Sequence, residues 1–207
     1  MKLLDKLINN IKFDKKYVLF SLVLVILGII TGSLFIVILN STDKNLVIEY
    51  ISDFIDNIKN SSINNLDILK NTLITNYIII IILVMIGFSS FLFPINILLL
   101  FYKSFIIGFS LSSFILTYKI KGTLLSIIYI FPHLLINILI FCLITAFTLK
   151  ISLSMINSII KRKNVNMRLY FNKYFSLILL SIFIITLTGL YEAYIMPYLI
   201  KIISNVL

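Results

Sequence analysis

Acidic side chains are scarce in this chain. There are 8 Asp and Glu among 207 residues, against 18 Lys and Arg. After Asp67 the only carboxylate side chain is Glu192. Cysteine occurs once, as Cys142 inside an apolar run. A single thiol excludes an intrachain disulfide framework and a thiol-based metal cluster, and leaves Cys142 as a small packing residue. Histidine also occurs once, as His133. There is no Walker loop, no dinucleotide fingerprint, no His-Glu-x-x-His and no pair of neighbouring carboxylates with catalytic spacing. The usual constellations for nucleotide, phosphoryl and zinc chemistry are therefore missing. No metal, no cofactor and no enzymatic activity are expected. No internal repeat of the kind that builds many transporters is evident either.

What fills the chain is hydrocarbon. Hydrophobic residues make up 60% and charged residues 13%, with a mean hydropathy of +1.11. That composition excludes an ordinary soluble domain. Apolar runs of about 18 residues or more recur, the length of a membrane-spanning helix. In lipid every backbone polar group must be paired internally, and runs this long without strand-like alternation leave helices as the solution. The expectation is an all-α, polytopic transmembrane helix bundle of about five spans. It forms a single membrane domain over 1–207, with broken helices near Pro94 and Pro132. The net charge of +10 does not point to nucleic acid. The basic residues flank apolar runs in short clusters, as the positive-inside rule produces. The expected neighbour is the lipid bilayer, with a basic docking site as the other reading.

In chain order, residues 1–16 hold five lysines and an apolar helical spacing, the pattern of a cytoplasmic amphipathic segment lying on the membrane face. The first span, 17–39, lacks a small-x-small cleavage pattern and is expected to stay as an anchor. It carries Gly28 and Gly32, a small-xxx-small pair suited to close packing within the bundle or at a dimer interface. Residues 40–76 form the one sizeable polar segment, read as an extracytoplasmic amphipathic loop. Val47, Ile51, Phe54, Ile55 and Ile58 share one helical face, and Glu49, Asp53 and Asp56 share the other. The segment either rests on the outer leaflet as a hairpin or offers those three acids to a partner; the two are compatible.

A second span over 77–102 is interrupted at Phe93-Pro94, and Lys103 comes directly after it, placed to snorkel to the interface. The third run, 104–118, contains Ser104, Gly108 and Ser112 at spacings of four. It is short for a span, so 93–118 either crosses fully or forms a re-entrant hairpin. Lys119-Ile120-Lys121-Gly122 reads as a tight turn. The fourth span, 123–149, is broken at Phe131-Pro132-His133. His133 and Asn137 share one face, and the histidine is read first as satisfying carbonyls freed by Pro132. Residues 150–173 form a basic cytoplasmic loop without an acid. The fifth span starts at 174. The resulting topology has the N-terminus cytoplasmic and the C-terminus extracytoplasmic, with Lys119 and Lys121 as a minor violation. Counting from Lys173 puts Glu192 roughly 28 Å along the last helix, near the outer edge of the hydrocarbon.

Three short stretches carry a family resemblance: Lys103-Ser104-Phe105-Ile106-Ile107-Gly108-Phe109, Phe131-Pro132-His133, and Glu192-Ala193-Tyr194-Ile195-Met196-Pro197. With the span order, they make the chain similar, over nearly its whole length, to the stage II sporulation protein M family. In the wider membrane superfamily the Pro-His element tends to continue with Gly, with Glu five positions after the Pro. Here Leu134 and Asn137 stand there. The sporulation branch also lacks that acid, so the departure favours the sporulation assignment.

The resemblance implies a non-enzymatic membrane scaffold of the engulfment machinery, on the mother-cell side of the sporulation septum. Its implied partners are the septal peptidoglycan hydrolases, stage II sporulation proteins D and P; a homo-oligomer is a further alternative. The competing reading is a small polytopic transporter or channel component using Glu192 with His133 and Asn137. Candidate residues are Glu192, Tyr194, Pro197, Pro132, His133, Asn137, Lys103, Gly108, Gly28 and Gly32, with Glu49, Asp53 and Asp56 for partner docking.

Overall fold

The computed structural model describes residues 14–60, 64–87, 89, 91–130, 133–161 and 167–206. The expected break at Pro132, the amphipathic segment before Asp14, and Arg162 and Lys163 of the basic stretch lie outside the described residues. The regular structure described is entirely helical. In order come α1 (Lys15–Ile38), α2 (Ser41–Lys59), α3 (Asn65–Gly87), α4 (Phe93–Ile130), α5 (His133–Lys161) and α6 (Met167–Leu190). A π-helical turn, Tyr191–Ile195, then runs into α7 (Met196–Val206). Among the described residues, 5 helical stretches are long and apolar enough to cross a membrane. The protein is a polytopic α-helical bundle.

The α1 helix buries one narrow stripe, Ser21, Val25, Gly28, Gly32 and Ile36, flanked by the partly buried Leu22, Leu24 and Ile29, and leaves much of its remaining apolar surface exposed. The stripe lies along α4. Gly28 meets Phe101 and Ser104, Gly32 meets Phe105, and the Ser33 hydroxyl donates to the Gly108 carbonyl at 3.1 Å. Phe35 packs its ring on Phe105 and Phe109. Position numbers rise together on both helices, so α1 and the first limb of α4 run parallel, and α3 returns the chain between them. Glycine allows this because backbones can approach where no Cβ intervenes.

The α4 helix is two limbs. The first, 93–118, is continuous and roughly 39 Å long at helical rise, enough to cross the ~30 Å hydrocarbon layer without a re-entrant hairpin. The chain then reverses at Lys119, whose φ of 53° and ψ of −125° match the first central position of a type II′ turn. The reversal brings Gly122 against the Phe114 carbonyl. The second limb heads back toward α5.

The central helix is α5. Its spanning window is 67% buried, against 33% or less for the other four. Ile138, Phe141, Ile144, Phe147 and Ile151 form its contribution to the main core, with Leu83, Leu100, Tyr174 and Ile185 from its neighbours. Polar groups tie one end of this core. Asn96 Nδ2 donates to Thr148 Oγ1 at 2.8 Å, and the Tyr174 hydroxyl donates to the Leu83 carbonyl at 3.3 Å. At that end Lys150 Nζ and Asp14 Oδ2 are 3.1 Å apart.

The opposite end is covered by α2. Its Ile51, Ile55 and Ile58 are buried against Phe114, Leu125, Met196 and Ile200. The apolar face therefore packs on the bundle's own end.

The second and third spans differ from the expected 77–102 and 104–118. The structure starts the second at Asn65, ends it at Gly87 and restarts at Phe93. Pro94 sits in the first turn of α4, where its missing N–H leaves no bond unmade. Hydropathy alone merges two helices across this break.

Candidate functional site

Polar side chains from four elements converge inside the apolar bundle. One turn apart on α3 stand Thr72 and Asn76, both half-buried. The first limb of α4 contributes Lys103. At the start of α5, His133 and Asn137 are spaced by one turn, 0% and 3% exposed. The end of α6 and the π turn contribute Thr188 and Glu192, again four apart. This i, i+4 spacing repeats on three helices and holds each pair on one face.

The contacts are specific. Thr188 Oγ1 donates to Asn137 Oδ1 at 2.7 Å. Glu192 Oε2 lies 3.8 Å from His133 Nε2, beyond hydrogen-bond length. Thr72 and Lys103 are the groups near enough to the Glu192 carboxylate to bear on its charge. Neither ring nitrogen of His133 has a hydrogen-bond partner among the described residues. The imidazole is instead walled by the Tyr129 ring, edge-on at 5.8 Å, and the Tyr191 ring, tilted at 6.0 Å. Beside these groups lies a cavity of about 60 Å³, lined by Asn76, Lys103, Asn137 and apolar residues including Leu134 and Phe141.

Glu192 lies within the π turn. The Met196 N–H bonds the Tyr191 carbonyl, five residues back. Next in the chain is Pro197, which has no N–H to offer Ala193. A π turn inserts an extra residue into the helical ladder and rotates the residues C-terminal to it. Ala193 is fully buried at this widening. The motif consequently splits. Glu192 faces the interior, whereas Tyr194 and Pro197 line a second cleft of about 280 Å³ with Asn57, Asn65, Ile68, Tyr198 and Lys201.

The last apolar helical stretch runs Asn172–Ile202 and continues past Tyr194, with Glu192 roughly 15 Å before its end. Lys103 is half-buried, roughly 15 Å from the start of α4 at Phe93.

The remaining candidates lie elsewhere. Gly28, Gly32 and Gly108 form the α1–α4 seam. Glu49, Asp53 and Asp56 are exposed on the outward face of α2. Sequence reasoning missed Thr72 and Asn76, because Asp67 and Lys70 drew them into the polar segment. Their spacing of four, leading into an apolar helix, was the available signal. No group of three or more His, Cys, Asp or Glu suited to a metal occurs among the described residues.

No curated protein and no solved structure matches this chain. Residues 21–197 match the family described as Stage II sporulation protein M. That match covers most of the chain, including the α1–α4 glycine seam, the polar cluster and the motif from Glu192 to Pro197. The chain belongs to the stage II sporulation protein M family, as a multi-pass membrane protein.

Proposed function

We propose that this protein is a non-enzymatic membrane scaffold of the sporulation engulfment machinery, and that it recruits septal peptidoglycan hydrolases. The observation that carries the reading is α2. It is an amphipathic helix folded across one end of the bundle, with Glu49, Asp53 and Asp56 exposed away from the core. An acidic face held on a rigid end suits recognition of a basic partner surface and sets its orientation. The proposed partners are stage II sporulation proteins D and P, outside the mother-cell membrane.

The orientation that goes with this is N-terminus cytoplasmic and C-terminus extracytoplasmic. The start of α1 and the second half of α5 share one end through the Asp14–Lys150 contact, so Lys15, Lys16, Lys150 and Lys173 gather at the same side. Such a gathering of lysine favours the cytoplasmic face. The α2 end is then outside. Co-purification in detergent tests the reading. Both hydrolases should be retained by the intact chain and released by the triple variant Glu49→Gln, Asp53→Asn, Asp56→Asn. Absence of retention by a folded, wild-type chain sinks it.

The polar cluster favours a second reading, a small transport or channel component using Glu192 with His133 and Asn137. It predicts substrate-dependent flux in vesicles that Glu192→Gln abolishes; no flux difference counts against it.

A further inference from the structure

We propose that the groove between α2 and the far part of the first limb of α4 is a lipid site that holds one acyl chain of a bilayer lipid. The groove has a volume of about 350 Å³. Val47, Ile51 and Phe54 of α2 form one wall, and Phe109, Ser113 and Phe114 of α4 form the other. Tyr129 joins them from the second limb. The rings of Phe54, Phe114 and Tyr129 pack on one another, with centres 5.1–6.5 Å apart. Three interlocked rings make a preformed wall, as ligand sites usually have.

Three observations say what fills it. The first is chemistry. The lining is mostly aliphatic and aromatic. The buried Ser113 turns its hydroxyl back onto its own helix, donating to the Phe109 carbonyl at 2.8 Å. A charged or strongly polar ligand would lose its water here and find few partners.

The second observation is shape. One turn of α-helix, about 10 Å across and 5.4 Å tall, fills about 400 Å³. That exceeds the whole groove, so a helix from a partner or from a second copy does not enter. At about 30 Å³ per methylene, close to the volume share of a water, the groove takes about a dozen carbons of an extended chain.

The third observation is continuity with the lipid-facing surface. The first limb of α4 belongs to a stretch long and apolar enough to cross a membrane. Ile106 and Ile115 lie exposed on that limb on either side of the groove residues. On α2 the rim of the groove carries Leu46 and Tyr50, one turn apart and 63% and 73% exposed. They stand between the core-facing side of α2 and its acidic side, and the packing of the bundle leaves them uncovered. A hydrocarbon chain lying between this rim and α4 covers them, and a tyrosine at the mouth suits the headgroup level. Left empty, the groove would forfeit contacts along its whole lining.

This assignment does not depend on either functional reading. It makes a lipid chain part of the seat of α2. Tyr129 also packs edge-on against His133 at 5.8 Å, so the lipid site lies one ring away from the polar cluster.

Photolabelling of the full chain tests it. The probe is a phosphatidylcholine with an aryl diazirine on one acyl chain, doped into nanodiscs of phosphatidylethanolamine and phosphatidylglycerol. Adducts are mapped by peptide mass spectrometry. Residues 109–114 should carry about threefold more adduct per residue than the exposed stretch 23–30 of α1, because a chain in a groove is touched from several sides and one on a helix face from a single side. Ser110→Phe fills the groove from α4 and should lower labelling of residues 46–54 about threefold, since a close-packed ring leaves no room for the chain. Leu27→Phe, on the exposed face of α1, should leave that labelling unchanged.

Equal labelling of 109–114 and 23–30 overturns the site. So does labelling of 46–54 that Ser110→Phe leaves unchanged. Protection of both groove walls from the probe shows a protein occupant, a second copy included, and overturns it as well. Should Ser110→Phe fail to fold, Val47→Phe fills the groove from the opposite wall and is read by the same loss at 109–114.

Discussion

Replacing Gly108 by alanine loads the α1–α4 seam directly. The added Cβ falls onto the Ile29 carbonyl oxygen, with the Ile29 C and Cα atoms each 2.8 Å away. These are backbone atoms, so no rotamer change relieves the clash, and the two helices must part. Overpacking of this kind costs about 1–3 kcal/mol. Parting also lengthens the 3.1 Å bond from Ser33 to the Gly108 carbonyl, and interhelical bonds in membranes are worth about 0.6 kcal/mol. Packing of Phe35 on Phe105, at 5.5 Å between ring centres, loosens as well. Alanine returns about 0.8–1 kcal/mol through helix propensity.

The net loss expected for Gly108→Ala is about 1–3 kcal/mol. At about 2–4 °C per kcal/mol for a chain of this size, the thermal midpoint should drop by several degrees. Gly189→Ala is the matched control. Its Cβ meets side-chain atoms, the nearest being Leu73 Cδ2 at 2.9 Å, the mobile end of a side chain, and should leave stability unchanged or slightly raised. The assay is loss of helical circular dichroism on heating in nanodiscs. The reasoning fails if Gly108→Ala proves as stable as Gly189→Ala.

The packing sets three further outcomes. Lys119→Gly should raise the thermal midpoint, because a positive φ in a non-glycine residue stores about 1–3 kcal/mol; a fall refutes the turn assignment. Ile55→Ala removes a side chain that is 1% exposed beneath α2 and should cost about 2–5 kcal/mol. It should speed proteolysis within α2 first, and an unchanged cleavage rate speaks against α2 packing on the bundle. Tyr174→Phe deletes the bond to the Leu83 carbonyl but keeps the stacking on Phe147 at 5.6 Å. It should cost about 0.5–1.5 kcal/mol, and a loss as large as that of Tyr174→Ala, about 3–5 kcal/mol, refutes that division.

Helix identity is readable where periodicity and length agree. The α1 helix, the apolar face of α2 and the break near Pro94 are of this kind, since each rests on local spacing or on a local backbone constraint. The second span is not. Asp67, Lys70, Asn71, Thr72 and Asn76 lower its hydropathy, and a window average reads them as loop. In the fold Thr72 and Asn76 are tolerated because Glu192 and the amide-lined cavity receive them. The same limit applies to Lys103, which lines a small cavity with Asn76 of α3 and Asn137 of α5.

By itself the sequence determined the solvent, the all-helical class and a count of about five apolar spans. A chain that is 60% hydrophobic must pair its backbone within helices, and that demand is local. It also marked Glu192 and His133 as unusual, because each is the sole ionisable group of its kind in a long apolar stretch. Only the tertiary structure decided where those groups point and whom they meet. The placing of Glu192 beside His133 depends on helix register across the bundle. Register is set by side chains far apart in sequence, such as Gly28, Gly32 and Gly108 closing the α1–α4 seam. No local pattern encodes it.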